Sequence, residues 1–167
     1  MSITTDERDR LTQRREQIKD EFLAPTGSRP ATIARGIHHT ALICSDVRRT
    51  VDFYQNIVGF PLIEMFENRD LAGSTHFFFD LGNGNALAFF DLPGVEPGPY
   101  AEVLGGLHHL AISVTPDDWK AARERLDAAG IQYQLESGTS IYLPDPDGTR
   151  LELIADKLGE MYGEKIG

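Results

Sequence analysis

The sequence predicts an α+β protein built from two tandem βαβββ modules whose strands form a curved mixed sheet. Three observations carry this. A short motif occurs twice, as Gly36-Ile37-His38-His39-Thr40-Ala41-Leu42 and as Gly106-Leu107-His108-His109-Leu110-Ala111-Ile112. Each copy is followed by one segment of helical period and three of strand character, in the same order. The offset between equivalent positions is nearly constant, 70 residues from His39 to His109 and 64 from Ala88 to Glu152, so the copies differ only in loop length.

Residues 5–23 are dense in charge, with Leu11, Ile18 and Phe22 forming a narrow apolar stripe. This predicts an amphipathic helix able to dock on the domain or on a neighbouring subunit. Ala24 to Pro30 is a linker rich in Pro, Gly and Ser. The division expected is a helix and linker over 1–31, a duplicated domain over 32–156 with modules 34–93 and 106–156, and a tail over 157–167.

In the first module, residues 36–44 read as a strand. Asp46 is a helix N-cap, Val47, Val51, Tyr54 and Val58 recur at helical spacing, and Gly59 stops the helix. Strands follow at 61–66, 76–81 and 86–91, the last two joined by the turn Gly82-Asn83-Gly84-Asn85. In the second module, 107–114 is the strand, and Thr115-Pro116 opens a helix carrying Trp119, Ala122, Leu126 and Ala129 up to Gly130. Strands at 132–135, 140–143 and 150–154 complete the copy around the turn Asp145-Pro146-Asp147-Gly148. Gly94 to Gly105 links the modules.

Composition bounds the function. A net charge of −10 excludes a nucleic-acid binder, which needs a basic face. No apolar run approaches the ~20 residues of a membrane span. The single cysteine, Cys44, excludes an internal disulfide and reads as a small buried apolar residue. A cytoplasmic protein is the expectation.

The candidate chemistry lies in the repeat. Glu152 is a carboxylate in a strand that otherwise reads as core, which is costly unless it is paired or bound to a metal. Strand alternation puts His39 with Ala41 and Ile43 on one face and His109 with Ala111 and Ser113 on its equivalent. If the modules pack about a pseudo-two-fold axis, His39, His109 and Glu152 form one three-ligand site between the sheets. That donor set suits Fe(II), Mn(II) or Zn(II). The same alternation turns His38 and His108 toward the helices.

His39-Thr40-Ala41-Leu42 with Asp46, Phe53-Tyr54 and Gly59-Phe60, then His109-Leu110-Ala111-Ile112, and finally Tyr142, Asp145-Pro146-Asp147-Gly148 and Glu152 make a recognisable set. In it the chain resembles the vicinal oxygen chelate superfamily, which includes glyoxalases, bleomycin-resistance proteins and type I extradiol dioxygenases. The resemblance implies an enzyme in which one divalent metal chelates two adjacent oxygens of a small substrate, with His39, His109 and Glu152 as ligands. Glyoxalase-like members add a fourth ligand at the position of Ala88, which cannot serve. What the resemblance implies is therefore a dioxygenase-type oxidoreductase acting on a catechol-like or hydroxy-ketone compound, with Fe(II) favoured as its metal. The alternatives are a metal-dependent lyase or isomerase of glyoxalase type, and a metal-free sequestering protein. Fosfomycin-type transferases need basic residues around the metal, and none lies between Gly130 and Leu143. Arg150 joins Glu152 only if its strand is unbulged.

Tyr142, within the later half of the extradiol signature, is a candidate acid/base group. His76 maps onto Ser140 through the duplication, and Phe78 onto Tyr142. Both are expected on the other wall of the metal cavity, with His76 as a second acid/base candidate. Phe77, Phe78, Phe79, Phe89 and Phe90 alternate between core and cavity and favour an apolar or aromatic ligand. A homodimer is expected, with the modules paired within one chain or swapped between two.

Overall fold

The computed structural model describes residues 3–96 and 98–166. Met1, Ser2, Pro97 and Gly167, which fall in the N-terminal segment, the linker between modules and the tail, lie outside the described residues. The chain divides into two compact units, one running to Arg35 and the other from Gly36 to Ile166.

In the first unit, α1 spans Thr5–Phe22. Thr4 caps it, its hydroxyl accepting from the Glu7 N–H at 3.2 Å, and Lys19 pairs with Glu16 at 2.8 Å near the other end. None of its residues is buried.

The second unit holds both modules. In the first, β1 (His39–Ile43) pairs in parallel with β4 (Ala86–Phe90). Then β4 pairs antiparallel with β3 (Thr75–Asp80), and β3 with β2 (Leu62–Glu67), giving the order β1-β4-β3-β2. The second module repeats this topology as β5-β8-β7-β6, from β5 (Leu110–Ser113), β6 (Gln134–Glu136), β7 (Ser140–Pro144) and β8 (Arg150–Ile154). The registers are equivalent too. Ala41, Ala88 and Phe78 lie side by side in one sheet, as Ala111, Glu152 and Tyr142 do in the other. The two four-stranded mixed sheets are the duplicated α+β architecture that the repeat predicts.

The helices depart from expectation in one respect. Asp46 caps α2 (Val47–Val51), which widens into a π-helix over Asp52–Val58 rather than continuing at 3.6 residues per turn. The N–H groups of Gly59 and Phe60 both reach the Tyr54 carbonyl, and Gly59 takes a left-handed φ of 102° to close the end. The wider turn keeps Phe53, Tyr54 and Val58 all buried. The helix of the second module, α3 (Pro116–Ala129), is regular and ends at Gly130 as expected. After β8, residues 160–165 form a small hairpin, β9 (Glu160–Met161) with β10 (Glu164–Lys165), where the sequence pattern shows only a tail.

One core joins the modules. Phe77, Phe79, Leu87 and Phe89 from the first sheet belong to the same buried cluster as Ile141, Leu143, Leu151 and Leu153 from the second, with Tyr54, Val58, Ala122 and Leu126 from the helices. Cys44 is part of this cluster, and burial pushes its thiol up to about 11, in keeping with a packing role. Polar ties cross the same boundary. The Arg125 guanidinium donates to the carbonyls of Ile57 and Val58 at 2.7 and 2.9 Å, satisfying the C-terminal end of the π-helix. Arg49 and the Ser45 N–H reach Asp147, and the buried Tyr54 hydroxyl donates to Asp145 at 3.1 Å. The sheets therefore share a core through one face each and leave their other faces open.

Asp145 also accepts from the N–H groups of Asp147 and Thr149. Burial raises its pKa, against these hydrogen bonds, so its ionised form weighs against folding at neutral pH and less so as pH falls through the ordinary carboxylate range. D145A is expected to lower stability by about 2–4 kcal/mol in urea unfolding. D145N, whose amide oxygen keeps both backbone N–H bonds and whose NH2 group can donate to the Tyr54 oxygen in place of the bond it accepted, should cost less and should abolish this group's share of the pH slope. Equal losses for the two variants would contradict the assignment.

Candidate metal centre

The open face of the second sheet carries a candidate ligand pair. Glu152 stands between Leu151 and Leu153 and is 5% exposed. One of its oxygens accepts from the Ser140 hydroxyl at 2.6 Å, and the other lies 3.0 Å from His109 Nε2. The carboxylate is thus held from the neighbouring strand and aimed at an imidazole, with no Lys or Arg ion pair among the described residues. A buried carboxylate beside an imidazole nitrogen, with an anchoring hydroxyl behind it, fits a divalent cation.

Tyr142 sets its ring edge-on to His109, with centroids 5.5 Å apart. Its pKa is raised by burial first and then by the neighbouring Glu152 carboxylate, against the opposing charge of Arg150. The phenol is therefore kept protonated and suited to donate. These residues line a cavity of about 610 Å³, to which Tyr162 from the β9–β10 hairpin also contributes. Because β8 pairs with β7 without a bulge, Arg150 shares the face of Glu152 and lines this cavity, which resolves the condition attached to it.

The open face of the first sheet carries the remaining candidates. His39, at the start of β1, is exposed and sets its ring edge-on to Phe78 at 6.4 Å. His76 stacks on Phe90 at 3.8 Å and lies against Phe78 and Phe66. Its Nε2 is buried with no hydrogen-bond partner. Burial, and secondarily the charge of His39, lower its pKa and favour the neutral ring. Of the phenylalanines, Phe77, Phe79 and Phe89 are fully buried in the core, while Phe78 and Phe90 join the open face of the first sheet.

The expected triad is thus divided within one chain. His109 and Glu152 come together, but no group of three His, Cys, Asp or Glu able to hold a metal exists among the described residues. His39 lies with His76 and Phe78 instead, so those residues do not line the cavity of His109 and Glu152. The reason is the shared core: the modules meet through the faces opposite to these residues. His38 and His108 also differ from expectation. Neither turns toward the helices. Both precede the first paired residues of their strands and are exposed, where alternation does not govern them. Their Nδ1 atoms lie 2.9 and 2.6 Å from the Nδ1 atoms of His39 and His109. Ser140, the anchor of Glu152, was visible in the sequence only as the counterpart of His76.

Comparison with known proteins places this geometry. Residues 36–153 match the model of the glyoxalase/bleomycin resistance protein/dioxygenase superfamily. The chain is 27% identical over 136 residues to MhqA of Bacillus subtilis, provisionally named a ring-cleaving dioxygenase, covering 77% of this chain but only 42% of that one. It is 30% identical over 131 residues to a lactoylglutathione lyase of Haemophilus influenzae, covering 72% of this chain and 93% of the relative. Among solved structures, a single-residue variant of the fosfomycin resistance protein FosX from Listeria monocytogenes, complexed with Mn(II) and a dihydroxypropylphosphonic acid, superposes with a TM-score of 0.56. It is 26% identical, over 75% of this chain and 96% of that one. No helix among the described residues is long and apolar enough to cross a membrane. With its duplicated fold and a match through both modules, the chain belongs to the glyoxalase/bleomycin resistance protein/dioxygenase superfamily.

Proposed function

We propose that this chain is a divalent-metal-dependent enzyme acting on a small substrate with two adjacent oxygens, as a ring-cleaving or related dioxygenase. The observation that carries the reading is the buried Glu152, held by Ser140 and aimed at His109 Nε2 in an open cavity. His39 lies exposed on the equivalent face of the other module, so a second copy of the chain completes the site. In a swapped homodimer, His109 and Glu152 of one chain meet His39 of the other, twice per dimer. Fe(II) or Mn(II) fits this donor set best, with Zn(II) also accommodated. When bound, the metal supplies a Lewis-acid anchor for the two substrate oxygens.

The protein residues then divide the remaining work. Tyr142, protonated beside Glu152, donates a hydrogen bond to a substrate oxygen. The wall of Phe66, His76, Phe78 and Phe90 presents flat apolar surface to a ring and excludes water from it. His76, whose buried Nε2 lacks a partner, accepts or delivers a proton at the substrate. Ala88, fully buried where the other module has Glu152, leaves the metal three protein ligands and open positions for substrate.

Three outcomes test this. Metal-stripped protein should bind Mn(II) in calorimetry, and E152Q should lose more affinity than the ~10–100-fold typical of a lost supporting contact. Failure to take up Fe(II), Mn(II) or Zn(II) would end the enzyme reading. Mixing unfolded H39A and E152A chains and refolding them together should restore about a quarter of the metal sites, because half of the dimers are mixed and each holds one intact site. A wild-type monomer at micromolar concentration, or no restoration, refutes the swap. H76A should keep its metal content yet turn over catechols on the order of 10²-fold more slowly in an oxygen electrode; unchanged turnover removes His76 from the chemistry.

A further inference from the structure

Arg150 lies two strand positions from Glu152 on the same unbroken strand face, about 6.6 Å along β8. Its guanidinium carbon sits 4.7 Å from the centre of the Tyr142 ring, and it lines the cavity shared by His109 and Glu152. The stack fixes the planar fork in place. A guanidinium has five donors arranged to grip a planar oxyanion from two sides. Among the described residues, none of these donors makes a hydrogen bond. The ion pair of Arg150 is with Glu102, in the segment between the modules, at 3.6 Å and therefore beyond hydrogen-bonding length. Glu102 is 63% exposed and divides itself between Arg150 and His108, whose Nε2 is 3.3 Å away. Such an exposed, loosely seated carboxylate is easily displaced.

We propose that Arg150 is the anion-recognising residue of the site, so that the vicinal-oxygen substrate also carries a carboxylate, which displaces Glu102. This rests on the reading of His109 and Glu152 as metal ligands. The separation along the strand sets the carboxylate roughly the width of an aromatic ring from the chelated oxygens, as in a dihydroxybenzoate. A carboxylate suits the site better than a phosphonate. One planar fork matches a planar monoanion, whereas a tetrahedral dianion calls for several cations, and Lys157 is the only other Lys or Arg lining the cavity among the described residues. In a chain whose net charge is −10, Arg150 reverses the sign of the field locally at the site.

The test compares 3,4-dihydroxybenzoate with catechol by calorimetry on the Mn(II)-loaded protein. Both carry the same adjacent oxygens, and one adds the carboxylate. The quantity read is the ratio of the two affinities, and comparison with the variants cancels the intrinsic chelating strength of each probe. The wild type should favour the dihydroxybenzoate on the order of tenfold more strongly than R150Q does, as expected for a charge-assisted contact. R150K should keep part of that preference, and E102Q should enlarge it by removing the internal competitor. An R150Q ratio equal to the wild-type ratio overturns the proposal while leaving the metal-enzyme reading intact. If the Mn(II)-loaded protein binds neither probe, the vicinal-oxygen reading falls and takes this proposal with it.

Discussion

The structure depends on one shared core between two copies of the same module. Each sheet has an apolar core face, and neither module is large enough to bury that face alone. The solution here is mutual: Phe79 and Phe89 from one sheet, and Leu143 and Leu153 from the other, close over the same helices, with Tyr54 at the centre. The Tyr54 hydroxyl is the polar part of this seam. Its bond to Asp145 ties the π-helix to the turn before β8 and so to the strand that holds Glu152. The π-helix, the Arg125 cap and the Asp147 contacts all lie along the same boundary.

That arrangement dictates what remains for function. Once the core faces are consumed, the two open sheet faces are what the fold can offer a ligand. They have diverged in character although their registers are identical. The first face is aromatic, with Phe78 where the second has Tyr142, His76 where it has Ser140, and Ala88 where it has Glu152. The second is polar and holds the carboxylate. Divergence of equivalent positions lets one supply binding surface and the other supply ligands, provided the two faces meet.

Burial of Glu152 is the costly feature of the second face. An ionised carboxylate inside an apolar strand needs compensation. The Ser140 hydroxyl and the His109 ring provide part of it, and a cation would provide the rest. The same logic accounts for Tyr142, whose proton is retained because burial, and after it the negative charge of Glu152, disfavours the phenolate. Arg150, stacked on that ring, supplies positive charge at the cavity without pairing with Glu152.

The sequence by itself determined the duplication, the βαβββ succession of elements along each module, the regular helix α3 and the strand face shared by His76 and Phe78. These follow from period and offset, which are local properties: alternation groups His76 with Phe78, and the 64-residue offset maps Ala88 onto Glu152 and Phe78 onto Tyr142. It also identified Glu152 as a carboxylate out of place. The tertiary structure decided the rest. A period of two says which residues share a face but not what that face meets, because that is settled by the packing of one whole module on the other. So the sequence could group His39 with Ala41, and His109 with Ala111, yet could not tell that the modules would join through their opposite faces and hold the histidines apart. Likewise, no spacing announced the π-helix or the Tyr54–Asp145 bond, since both arise where two distant segments must fit a common core. His38 and His108 escaped alternation because it applies only once a strand has been paired.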